Sequence, residues 1–187
     1  MKYFATLFIG FFLLFQPGLA PAQAKASKVF LLEDAGNNQW CSYLSEPTWK
    51  TKVQEAGAMT VGTLIYSTDH LSQIDVTETD ESGDWTVYDH YFFDDRGQIV
   101  KLIRLLNVLP GDRSVSQNFS ISNGKAEKIA TSEKRLSNGK AVTTPAGDWL
   151  PDVAIQTAPK MFPFAALLSR PGVRSSPKSC VKIPASQ

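Results

Sequence analysis

Two histidines, His70 and His90, each follow an aspartate directly. Imidazole beside carboxylate is a pairing on which proton transfer is built. Asp89, His90 and Asp94 are therefore the residues on which a hydrolase would rest. In an extended strand, however, neighbouring side chains point to opposite faces. Asp89 and His90 then do not meet side chain to side chain. Ser-x-x-Lys occurs as Ser122–Lys125, Ser137–Lys140 and Ser175–Lys178. That spacing does chemistry on a helix, where residues three apart share a face. Here the first two enclose Asn-Gly turns and the third lies in a proline-rich stretch, so none is expected to be catalytic. Glu78, Asp80, Glu81 and Asp84 crowd around Ser82-Gly83. Calcium takes about six to eight oxygens, and this spacing is not that of a calcium loop. A solvated hairpin loop is expected instead, and no metal. Gly-x-Ser-x-Gly, a phosphate loop and His-Glu-x-x-His are all absent from the sequence, so no catalytic residue and no cofactor are assigned.

Aromatic residues are the remaining asset. Trp85, Tyr88, Tyr91, Phe92 and Phe93 crowd one short segment. Alternation places Trp85, Val87, Tyr91 and Phe93 on one face and Tyr88, His90 and Phe92 on the other. Both faces are apolar enough to need cover. The simpler expectation is burial on both sides. The functional one is a cleft for an apolar or aromatic ligand, with Trp85, Tyr88, Tyr91 and Phe92 as ligand-binding candidates. The run Tyr91-Phe92-Phe93-Asp94-Asp95-Arg96-Gly97-Gln98-Ile99 resembles one unit of the tyrosine-aspartate repeats of secreted shell proteins. It occurs once, hairpin chemistry accounts for it, and no function is carried over.

Cys41 and Cys180 are the only cysteines. In an oxidising compartment they are a candidate disulfide. Neither histidine forms a recognisable Cys/His pattern with them, so a catalytic thiol is not expected. The first residues point to such a compartment. Lys2 precedes an apolar run from Phe4 to Phe15. Gln16-Pro17-Gly18 breaks it, and Ala22-Gln23-Ala24 supplies small residues for cleavage. Residues 1–24 therefore read as a secretory signal peptide. The apolar run is shorter than the roughly 20 residues that span a bilayer. The mature chain, 25–187, is expected to be exported, periplasmic or extracellular, with no membrane span.

The elements that must position these residues follow from periodicity and turn chemistry. Ser45 is a plausible N-cap, Glu46 and Pro47 suit a first turn, and Trp49, Val53 and Ala56 repeat on one helical face. A helix is expected over 45–57, stopped by Gly57. Strands are expected over about 58–142. Val115, Gln117, Phe119 and Ile121 alternate there with Ser116, Asn118, Ser120 and Ser122, a period of two. Asp94-Asp95-Arg96-Gly97, Asn123-Gly124 and Asn138-Gly139 mark turns. Val29–Leu32 is a further, ambiguous strand signal. Most of the 11 prolines lie in 143–187, where Trp149, Met161, Phe162, Phe164, Leu167 and Leu168 are nonetheless apolar. Such a segment is no central strand; it is expected to pack across the sheet, with Cys180 pinning its end. The fold class is thus α+β, mainly β: one antiparallel meander with an N-terminal helix and a proline-rich C-terminal segment packed on it, in a single mature domain.

Charge is segregated but balanced. The chain has 19 Lys and Arg against 18 Asp and Glu, and Lys2 alone accounts for the excess. No basic bias argues for nucleic acid. Segment 69–95 holds acids and no Lys or Arg, whereas bases dominate 96–142. Cross-strand pairing is the simplest consequence; a binding surface is the alternative. The functional expectation is a secreted or periplasmic, non-catalytic binding or structural protein. A carrier of a lipid or other small apolar molecule comes second, and a hydrolase built on Asp89, His90 and Asp94 third.

Overall fold

The computed structural model describes residues 27–143 and 153–183. The expected signal peptide and the part of the proline-rich segment around Pro145 and Trp149 lie outside them. Lys28–Asp34 (β1) and Gln39–Tyr43 (β2) form a hairpin, and the helix Glu46–Ala56 (α1) follows. Six strands then run in succession: Thr60–Ser67 (β3), His70–Thr79 (β4), Trp85–Phe93 (β5), Ile99–Val108 (β6), Arg113–Ser122 (β7) and Lys125–Arg135 (β8). A 3-10 turn at Pro159–Met161, a short helix at Ala165–Leu168 (α2) and the strand Lys178–Lys182 (β9) complete the described chain. All nine strands join one open antiparallel sheet in the order β8-β7-β6-β5-β4-β3-β1-β2-β9.

The protein is mainly β, as alternation and turn chemistry require. From β3 to β8 the sheet is a meander, because every connection is a tight turn. Asn123 and Gly124 both take positive φ, 50° and 71°, which a two-residue hairpin demands. At the β5–β6 turn, Gly97 sits at φ 73°. There the Asp94 carboxylate accepts from the amides of Arg96 (3.0 Å) and Gln98 (2.8 Å).

The meander is not the whole sheet. Strands β1, β2 and β9 lie outside the span 58–142. Val29–Leu32, left ambiguous by sequence, belongs to a central strand, because both its faces are covered: Val29, Leu31 and Leu32 are all buried. Because α1 leads from β2 to β3 on the far side of β1, the hairpin β1–β2 is inserted beside the meander. Strand β9 fits the proline-rich segment since it is an edge, paired on one side only.

On α1, the Ser45 hydroxyl accepts from the Thr48 amide at 3.4 Å, and Gly57 ends the helix at φ 57°. The helix packs on one face of the β1–β2 end. Trp49 stacks on Phe30 with ring centroids 5.3 Å apart. Its indole N–H donates to the Leu31 carbonyl at 2.9 Å. Leu32, Cys41, Tyr43, Val53, Ala58, Val61 and Cys180 complete that cluster.

The opposite face carries the main core. Register sets Val29, Leu64, Ile74, Tyr91, Leu102 and Phe119 in one row across six strands. Phe162, Phe164, Leu167 and Val173 from the C-terminal segment close over that row. Phe164 lies 4.8 Å from Trp40 and 5.0 Å from Phe162. Close approach explains Gly62 in β3: a Cβ there would stand 2.9 Å from the Asp75 carbonyl.

Cys41 and Cys180 are bonded. They face one another directly in the β2–β9 ladder, with Cα atoms 4.1 Å apart.

Candidate functional site

Three attachments hold the C-terminal segment on the main-core face. The first is a buried charge cluster. Asp89 in β5 and Arg104 in β6 are cross-strand neighbours, and their side chains are 6% and 8% exposed. Arg104 Nε and Nη2 each donate to Asp89 at 2.7 Å, a bidentate pair. The same guanidinium donates to the carbonyls of Val153 (2.7 Å) and Ala154 (3.3 Å). The Tyr91 hydroxyl donates to Asp89 and accepts from the Gln156 amide, both at 3.2 Å. Burial, with the Asp89 charge second, pushes the Tyr91 hydroxyl far above its ordinary value, so it stays protonated and able to donate. Burial works against the Arg104 charge, but hydrogen bonding to Asp89 and the attraction of its charge together outweigh it. The second attachment is Phe162, edge-on to Tyr91 at 5.0 Å. The third is Arg174. It stacks on Tyr66 at 4.4 Å, donates to the Thr68 carbonyl at 2.8 Å and pairs with Asp69 at 3.2 Å.

Between these attachments a cleft of about 530 Å³ opens, where the segment passes the β3–β4 and β5–β6 turns. Its wall is apolar: Leu71, Phe93, Pro159, Ala165 and Leu168. His70, Gly97, Lys160, Ala166 and Ser169 are exposed and complete the lining. The volume is that of a small-molecule site. The arrangement buries apolar surface of a guest and offers few polar contacts. The Ser169 hydroxyl of the lining donates to the Ala166 carbonyl at 3.5 Å. No protein family, curated protein or solved structure matches this chain.

The four aromatic candidates are not brought together. Trp85 packs with Val87, Leu106, Val108, Val115 and Val153. Tyr91 lies 1% exposed beneath Phe162. Tyr88 and Phe92 stand half-buried on the other face of the sheet, where the Lys101 ammonium lies 5.5 Å over the Phe92 ring. None of the four lines the cleft; their neighbour Phe93 does. Alternation had already separated the pairs, but nothing in the sequence indicates where the C-terminal segment leaves the sheet.

Asp89, His90 and Asp94 do not converge either. Asp89 is committed to Arg104, and Asp94 holds the turn amides. His90 instead meets Asp75, its register partner in β4, with Nδ1 2.6 Å from Oδ1. Gln73 donates to the same oxygen at 2.6 Å. Hydrogen bonding to Asp75 raises the His90 imidazole above its usual value. Burial pushes the Asp75 carboxyl up, but the hydrogen bonds from His90 and Gln73 outweigh it and leave it below the ordinary range. That cross-strand partner was missed because it depends on register, not on sequence proximity.

The acidic segment is largely consumed by such contacts: Asp69 with Arg174, Asp75 with His90, Asp89 with Arg104. Asp80 accepts from the Trp85 amide at 2.9 Å and from the Ser82 hydroxyl. Among the described residues, no group of three His, Cys, Asp or Glu side chains is placed to hold a metal ion, and no helix is long and apolar enough to cross a membrane.

Proposed function

We propose that this is a non-catalytic binding protein of an exported compartment, and that the cleft beside the β3–β4 and β5–β6 turns takes a small apolar ligand. The observation that carries this reading is the roughly 530 Å³ cleft with its apolar wall of Leu71, Phe93, Pro159, Ala165 and Leu168. In this reading residues 1–24 direct export and are removed. The Cys41–Cys180 bond is consistent with an oxidising exported compartment. The described part of the proline-rich segment, 153–183, serves as cover, and the helix closes the far face of the β1–β2 end.

Cover and sheet are held together by polar contacts that a ligand need not break. The Arg104 and Arg174 attachments lie outside the cleft lining, so a guest is accepted without dismantling the fold. The test is native mass spectrometry after gentle purification, with titration of the neutral probe N-phenylnaphthylamine. Expected are a retained apolar adduct and saturable probe fluorescence, both lost in Ala166→Trp, which fills the cleft. A bare chain that binds no probe would overturn the reading.

A further inference from the structure

Resting on that reading, we infer that the ligand of the cleft is a single-chain amphiphile with an anionic head, seated with its tail against Leu71 and Phe93 and its head at Lys160. The charged and titratable groups of the lining are two bases, Lys160 and His70; no carboxylate lines it. Lys160 is exposed at the mouth, on the 3-10 turn Pro159–Met161. Among the described residues it makes no ion pair within 4.0 Å, whereas the cations of the attachments are all engaged: Arg104 with Asp89, Arg174 with Asp69. Asp69, Asp94 and Asp95 lie beside or close to lining residues in sequence, and Asp95 pairs with one of them, His70. Its carboxylate stands 3.8 Å from His70 Nε2, is fully exposed and lies outside the lining.

An apolar wall ending at an unengaged ammonium matches the two ends of such a molecule. A neutral hydrocarbon would use the wall and leave Lys160 idle. A cationic amphiphile would set like charges together. A free fatty acid and an anionic one-chain lipid share this chemistry.

Displacement of N-phenylnaphthylamine by decanoate, decanol and decylammonium at equal chain length and low salt reads the head group directly. Decanoate is expected to displace at about three- to fivefold lower concentration than decanol, the upper part of the range of an exposed ion pair, with decylammonium weakest. Lys160→Gln should abolish the gap between decanoate and decanol. Lys160→Glu should turn the preference toward decylammonium. Equal displacement by all three in the unaltered protein overturns the anionic head but leaves the apolar cleft standing. A gap that survives Lys160→Gln overturns the role of Lys160. If the unaltered protein binds neither the probe nor any of the three, the cleft reading itself falls.

Discussion

The buried pair of Asp89 and Arg104 is where a single residue matters most. Both groups are withdrawn from water, and each satisfies the other while Arg104 also holds two carbonyls of the C-terminal segment. Removing one partner strands the other charge, which costs about 3–5 kcal/mol. Arg104→Met should therefore lower the unfolding free energy measured in urea by that amount, and Asp89→Leu likewise. The double variant should be less damaged than the two single losses added together, because no lone charge remains. Simple additivity would argue against the pair as a unit. The Asp75–His90 contact is half-exposed and acts through pH. The folded imidazole titrates above the usual value of about 6.5. Its stabilisation is fully present below that value and is lost as pH rises through the folded one. The Asp75 carboxyl is lowered, so its share is present above the usual carboxylate range and lost in acid. Melting temperature should fall between pH 6 and pH 8 in the native chain, and the slope should flatten in His90→Gln. An unchanged slope in that variant would assign the effect elsewhere.

At the scale of elements, β9 is the piece whose place depends on one bond. It is five residues long and pairs with β2 alone. The Cys41–Cys180 bond spans a sequence separation of 139. Closing a loop of that length limits the unfolded chain by about 5 kcal/mol on the chain-entropy account. Replacing both cysteines by alanine should lower the melting temperature and speed proteolysis between Gly172 and Ile183, with the β signal in circular dichroism retained. Proteolysis beginning instead within β4–β7 would show that the bridge supports the whole sheet. Helix α1 shares this dependence through Cys180, which packs in its cluster, but its local supports do not. Its Ser45 cap, Gly57 stop and Trp49 indole bond to Leu31 are independent of β9.

For the whole molecule, the decisive asymmetry lies between a sheet joined by local turns and a C-terminal segment held by contacts distant in sequence. Val153 to Ser176 contributes core side chains and hydrogen bonds through side chains but pairs with no strand, and β9 contributes one ladder. Strands β4–β7 are each paired on both sides. Hydrogen exchange should show amides of 153–176 opening together, well before those of β4–β7. Arg104→Met should accelerate the first group far more than the second. Uniform exchange across both would mean that segment and sheet unfold as one unit.

Much of this architecture was legible in the sequence because its causes are local. Period-two alternation in Val115–Ser122 sets which residues face the core, and Asn123-Gly124 can hardly be other than a turn. Two cysteines alone in the chain, Cys41 and Cys180, were enough to predict their bond. What only tertiary structure decided is every feature that depends on register between distant strands. His90 meets Asp75 rather than Asp89, Asp89 meets Arg104, and Gly62 is small because the Asp75 carbonyl passes beside it. The cleft belongs to the same class. Its wall joins Leu71 of β4 and Phe93 of β5 to Ala165 and Leu168, residues from two strands and from a segment far downstream in the chain. Alternation tells which face a side chain takes; it carries no information about what another part of the chain lays against that face, because the partner is chosen by shape and burial in three dimensions.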